Sequence, residues 1–173
     1  MGNVGSRPVV IKLGPEGDFN EAVAMAAETL LVGGLVAYPT ESFYGLAADA
    51  TNGDAIERLF EAKKRKADRP VLVIIPSEEI PENWVDQIPP VAAELIKTYW
   101  PGGLTLVFYA GPAVSPLLTA NTGKIGIRCS GHPIARALAG AAGVPITGTS
   151  ANISGKPACS NADEAVSYTH LRA

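Results

Sequence analysis

The sequence predicts an α/β fold, with helices packed on a mixed sheet. Three observations carry that expectation. Segments with apolar residues at helical spacing alternate along the chain with short runs rich in Val, Ile and Leu. Glycines and prolines mark most of the boundaries between them. The 173 residues, 47% of them apolar, suffice for a single core of ordinary size.

From Asp18, "DFNEAVAMAAETLLVGG" offers a capping residue, an acid three positions later, an apolar helical stripe and a Gly33-Gly34 stop. "LVAYP" follows as a buried strand, and "NGDAIERLFEAKKRK" as a second helix that ends before Pro70. "VLVIIP" is the next strand. A connector carrying Pro76, Pro81, Pro89 and Pro90 leads to the helix "VAAELIKTYW", the turn "PGG" and the strand "LTLVFYA". "KIGIRCS" alternates, with Ile125, Ile127 and Cys129 on one face and Lys124, Gly126 and Arg128 on the other. The helix "HPIARALAGAAG" and the strand "VPITGTSA" complete the pattern. No repeat or low-complexity tract interrupts it, and the Pro-rich connector is too short to separate a pair of cores.

A net charge of −3 lacks the basic excess of a dedicated nucleic-acid binder, so any RNA contact would be a local patch. Two cysteines, Cys129 and Cys159, and two histidines without ligand-type spacing suggest neither a disulfide framework nor a metal site. No run approaches the roughly 20 apolar residues of a membrane span, and the N-terminus lacks a signal-peptide core. A cytoplasmic location is the expectation. Gly2 with Ser6 fits the myristoylation pattern loosely, a short and common match.

Four constellations could carry chemistry. Ile56, Leu59, Phe60 and Lys63 fall at i, i+3, i+4 and i+7, so the lysine extends the apolar face of its helix. Lys64, Arg65, Lys66 and Arg69 follow at once. This cluster reads either as a solvated helix end complementing the macrodipole or as a polyphosphate clamp. "TGTSANISGKPACSN" interleaves Thr147, Thr149, Ser150, Asn152, Ser154 and Ser160 with glycines; it could present N–H groups and hydroxyls to an anion, or simply satisfy its own turns. Arg128 lies opposite Ile125 and Ile127 near a strand end, suited to a carboxylate or to a surface ion pair. Thr105 opens a strand, and His132 in "HP" reads more simply as a helix cap than as a base. Walker and GxGxxG patterns are absent.

Taken in order, "YPTESFYGL", "EAKKRKADRPVLV", "WPGGLTLVF", "KIGIRCSGHP" and "TSANISGKP" closely resemble the YrdC/Sua5 family, the threonylcarbamoyl-AMP synthases. The resemblance covers one domain over residues 1–173 and is strongest over 33–166. It implies an open twisted mixed sheet, flanked by helices, around a large basic cavity. It implies a nucleotidyltransferase that condenses L-threonine, bicarbonate or CO2, and ATP with Mg2+ into threonylcarbamoyl-adenylate and pyrophosphate. A partner enzyme then transfers the threonylcarbamoyl group to adenosine 37 of tRNA. By the same resemblance, Thr40, Tyr44, Arg128 and, less certainly placed, Arg69 belong to the threonine pocket. Lys63 and Arg65 match the Lys-x-Arg pair at the ATP phosphates and would carry the catalytic charge neutralisation. Thr105, Thr149, Ser150 and Asn152 match further nucleotide-pocket positions.

The chain departs from the family pattern at three places. "PGG" replaces Pro-Gly-Pro, Lys66 replaces a proline, and "SYTHLRA" over 167–173 matches nothing in a family that continues with further strands. That last segment is read as non-native, with the C-terminal part of the family domain missing. Two other functions stay open: a binding module for tRNA or double-stranded RNA without catalysis, and a carbamoyl-adenylate-forming domain of the hydrogenase-maturation type. The second normally sits in a longer chain with paired cysteines, which this sequence lacks.

Overall fold

Helix α1 runs from Asn20 to Leu31 in the computed structural model, which describes residues 9–11, 19–161 and 163–165. The Gly2/Ser6 pattern, the expected Asp18 cap and the 167–173 segment lie outside those residues. Phe19 occupies the N-cap position, without a side-chain cap, and the chain leaves the helix through Gly33 at φ 81°. Only glycine adopts that left-handed geometry without strain.

Six strands form one sheet: β1 (Val36–Pro39), β2 (Tyr44–Ala47), β3 (Leu72–Ile75), β4 (Leu106–Tyr109), β5 (Lys124–Cys129) and β6 (Ile146–Ser150). Their order is β1-β2-β6-β3-β5-β4; β3 and β5 run parallel and every other pair antiparallel. The sheet is therefore mixed, as the alternation predicts. The remaining helices are α2 (Gly53–Ala62), α3 (Pro90–Tyr99), the single turn α4 (Pro116–Thr119) and α5 (Pro133–Ala142).

Strand β2 and the turn α4 have no counterpart in the sequence reading. Helix α2 also stops short of its expected end: Lys63 caps it and Lys64 takes φ 47°, so the cation cluster lies on a loop instead of a helix end. Asn52 caps the start of α2 by accepting from the Ala55 N–H, and His132 caps α5 by accepting from the Ile134 N–H, as its "HP" context suggests.

Strand register divides the sheet into two faces. Val73, Ile75, Ile127 and Leu46 point to the face covered by Ile56 and Leu59 of α2 and by Ala92 and Ile96 of α3. Tyr38, Ala47, Ile74 and Ile146 point to the other face, where α1 and α5 cover them through Leu30, Leu138 and Ala139. That second cover is partial. Beyond it, Gly126, Arg128, Gly148 and Ser150 are half-buried on the same face, and Val107 and Tyr109 are exposed.

Gly45 shows how tightly the covered part fits. A Cβ there would stand 2.7 Å from the ring of Tyr38, its partner across β1 and β2. Tyr38 is 2% exposed and donates its hydroxyl to the Thr147 carbonyl at 3.2 Å, so the ring cannot swing away cheaply. Gly45→Ala is expected to destabilise the fold by about 1–3 kcal/mol in chemical denaturation, the usual cost of overpacking. A parent-like midpoint would contradict this packing.

Candidate active site

The inward lysine predicted from spacing is found inward. Lys63 is 2% exposed, and its ammonium donates to the Ser150 carbonyl, to the Asn152 carbonyl at 2.6 Å and to Asn152 Oδ1 at 3.2 Å. Asn152 Oδ1 also accepts from Ser150 Oγ at 2.5 Å, and Asn152 Nδ2 donates to the Lys156 carbonyl at 2.5 Å. The Lys63 carbonyl in turn accepts from the Ser154 N–H at 2.9 Å. One cation thus organises the whole 150–154 loop. Burial, joined by the nearby positive charge of Arg65, lowers the Lys63 pKa from the ordinary lysine range to about 8, with Cys159 working the other way.

Arg65 is half-buried beside this loop, its guanidinium held by the carbonyls of Arg69 at 3.3 Å and Pro70 at 2.7 Å. Those backbone contacts aim it without neutralising it. Burial and the neighbouring Arg69 lower its pKa, with Asp68 opposing. The side chains of Lys64, Lys66 and Arg69 are exposed.

The second group lies on the uncovered sheet face. Arg128 donates through Nε to Thr105 Oγ1 at 2.9 Å, because register places Thr105 beside it at the start of β4. Among the described residues no carboxylate lies within ion-pair distance of its guanidinium. Glu41 approaches from the β1–β2 loop. Its Oε1 accepts from Ser130 Oγ at 2.8 Å and from the Gly131 N–H at 2.6 Å. Burial works against the Glu41 charge, but hydrogen bonds from its own backbone, Ser130 and Gly131, with the positive charge of Arg128, outweigh it and hold the pKa below the ordinary carboxylate value.

Of the residues expected around threonine, Thr40, Tyr44 and the exposed Arg69 make no hydrogen bond to Arg128 among the described residues, and Thr149 of the expected nucleotide set turns away from Ser150. Thr40 spends its hydroxyl locally, donating to the Phe43 carbonyl at 2.5 Å and accepting from the N–H groups of Ser42 and Phe43 at 3.3 Å, a Thr-stabilised turn. Thr149 alternates away from Ser150 and points to the Leu46 face. Tyr44 packs against the core cluster that contains Leu59, Ala151 and Cys159, on the Lys63 side of the sheet. Two further residues enter the site: Glu41, and Ser154 from the polar 147–160 stretch already singled out in the sequence. Glu41 does so through contacts 89 and 90 positions away in sequence, which no local pattern announces. Ser154 does so as a buried hydroxyl without a hydrogen-bond partner, a polar atom poised for one.

The open mixed sheet thus carries two separate cationic groups in an α/β domain: Arg128, without a carboxylate partner among the described residues, on the partly covered face, and the buried Lys63 with its 150–154 loop on the side of α2. Residues 28–172 match the Sua5_yciO_yrdC family model, whose description reads "Telomere recombination". The chain belongs to this Sua5/YrdC family. It is 42% identical over 142 residues to a threonylcarbamoyl-AMP synthase of Bacillus subtilis, covering 82% of this chain and 41% of that protein. It is 37% identical over 147 residues to the threonylcarbamoyl-AMP synthase of Escherichia coli K12, covering 83% of this chain and 77% of that one. The solved structure of Pyrococcus abyssi Sua5 complexed with L-threonine superimposes with a TM-score of 0.83 at 39% identity, over 86% of this chain and 44% of that one. The chain thus spans about two fifths of the length of the Bacillus relative. Among the described residues, no helix is long and apolar enough to cross a membrane.

Proposed function

We propose that this chain forms L-threonylcarbamoyl-adenylate from L-threonine, bicarbonate or CO2, and ATP, and that it does so in the cytoplasm for tRNA modification with a threonylcarbamoyl-transferase partner. The observation that carries the reading is Arg128, a half-buried guanidinium fixed at one edge by Thr105 and lacking a carboxylate partner among the described residues. An amino-acid carboxylate satisfies it bidentately. L-Threonine is bound in the Pyrococcus relative.

The chemistry asks for positioning and charge neutralisation more than for a base of special pKa. With CO2, the neutral threonine amine forms the N–C bond and releases one proton to solvent; with bicarbonate, that proton and the bicarbonate hydroxyl leave together as water. The carbamate oxygen then bonds to the α-phosphorus of ATP as the bond to the β-phosphate oxygen breaks, releasing pyrophosphate. Lys63 and Arg65 would meet the phosphate charge, and Ser150, Asn152 and Ser154 would supply the neutral polar contacts. Mg2+ would enter as the companion of ATP, held by phosphate oxygens and water. Among the described residues no three His, Cys, Asp or Glu side chains are grouped to hold an ion, and no step is assigned to one.

The test is pyrophosphate release with ATP, L-threonine and bicarbonate, each omitted in turn. Release is expected only with all three present; release that ignores threonine would refute the proposal. The exposed Lys64, Lys66 and Arg69 favour a second contact, with tRNA or double-stranded RNA, which would weaken steeply with added salt.

The Lys63 pKa adds a pH signature. Below about 8 the side chain is an ammonium and attracts phosphate; above it the charge is lost. ATP affinity measured by calorimetry is therefore expected to fall as pH rises through about 8. Linkage runs the other way for stability. The folded value lies below the ordinary 10.5, so the cost of burying the charge is fully present below pH 8 and is relieved as pH rises toward 10.5. ATP affinity that stays flat across this window would remove Lys63 from the phosphate site.

A further inference from the structure

We propose that Glu41 is a positioning residue: it clasps the 40–43 loop to the turn between β5 and α5, and so fixes the amino-acid pocket around Arg128. The inference rests on the threonine reading above and deepens it.

The first argument is distance. Three strands, β2, β6 and β3, stand between β1 and β5 in the sheet. At ordinary spacing the outer pair of that set would lie on the order of 19 Å apart in a flat sheet. Glu41 follows the end of β1 by two residues, an extension of about 7 Å, and its side chain adds less than that. It nevertheless accepts from Ser130 and Gly131, just past the end of β5. The 40–43 loop and the residues after β5 therefore reach toward each other past the ends of the three intervening strands.

The second argument is convergence. A Cβ on Gly131 would stand 3.3 Å from Glu41 Oε1 and 3.4 Å from Gly102 Cα, so three loops meet at one point. The Gly102 N–H donates to the Cys129 carbonyl at 2.8 Å, tying the third loop to the end of β5. Arg128 lies two residues before Ser130, and its partner Thr105 lies three residues after Gly102. Two of the loops that meet at Glu41 thus carry, within three residues, Arg128 and the Thr105 hydroxyl that fixes it, while Thr40 anchors the 40–43 loop through its own turn. Glu41 is exposed as a residue but directs Oε1 to Ser130 and Gly131. It sets the spacing of the others.

A bare helix cap would give the same hydrogen bonds, because Gly131 precedes the N-terminus of α5. The two roles separate by what moves. The test compares the parent with Glu41→Ala, Glu41→Gln and Ser130→Ala by hydrogen exchange at the Gly131 amide and by calorimetric titration with L-threonine and, separately, with ATP. For Glu41→Ala, exchange at Gly131 is expected to rise and L-threonine affinity to fall, each about tenfold, with ATP affinity changed less than about twofold. Glu41→Gln keeps an acceptor for both donors and should stay within about threefold of the parent; Ser130→Ala, which keeps the Gly131 bond but removes the acceptor of the His132 N–H, should fall between the two.

Faster exchange with parental threonine affinity would reduce Glu41 to a cap and overturn the proposal. Equal losses for threonine and ATP would do the same by showing general loosening, as would unchanged exchange. If Glu41→Ala does not fold, Ser130→Ala decides by the same criteria. A parent that binds no L-threonine would instead sink the functional reading itself, and is told apart because it appears before any variant is made.

Discussion

Replacing Arg128 with alanine is expected to raise the KM for L-threonine on the order of 100-fold while the KM for ATP stays within about twofold. The size follows from what is lost. Hydrogen bonds to charged groups contribute about 1.5–3 kcal/mol each to a complex, and a bidentate guanidinium–carboxylate pair makes two. Arg128 is available for such a pair because its one side-chain hydrogen bond, Nε to Thr105, leaves the other guanidinium N–H groups for a ligand. Arg128→Lys should recover little, since a point charge cannot reproduce the planar fork. Steady-state kinetics with each substrate varied separately checks the split. Equal effects on both KM values would place Arg128 outside the threonine pocket.

Lys63→Ala is the second large effect, and it should appear twice. Removing the ammonium leaves the buried Asn152 carbonyl without its donor, while the Ser150 carbonyl keeps the Asn152 N–H and Asn152 Oδ1 keeps the Ser150 hydroxyl. One orphaned acceptor costs about 1–3 kcal/mol, so a stability loss of about that size is expected in chemical denaturation. ATP use should fall on the order of 100-fold or more, because the phosphate cation goes and the 150–154 loop loses its organiser. L-Threonine affinity should change less. A stable Lys63→Ala protein with parental ATP affinity would contradict both the loop's construction and the lysine's role.

Much of this site is legible in the sequence. Lys63 is placed inward by its position three residues after Phe60 and four after Leu59, and the structure buries it. Arg128 is placed off the core face by alternation with Ile125 and Ile127, and both isoleucines are fully buried while Arg128 is not. What escapes depends on long-range contact. Strand β2 is four residues containing a glycine, too short to show alternation, and it exists because β1 and β6 flank it. Helix α2 ends at Lys63, whose ammonium meets the Ser150 and Asn152 carbonyls about ninety positions away, a contact no local pattern announces. In sequence, Glu41 reads either as an acid that orients a cation of the basic cluster or as one that faces water. Only folding brings Ser130 and Gly131 to it.

If Arg128 holds the threonine carboxylate and Lys63 meets the ATP phosphates, the two must serve one product. The most direct measurement is mass spectrometry of the adenylate formed from ATP, L-threonine and carbon-13 bicarbonate. The account predicts an adenylate that carries both the threonine skeleton and the labelled carbon, formed together with pyrophosphate. An adenylate holding the label without threonine, or threonine without the label, would contradict it.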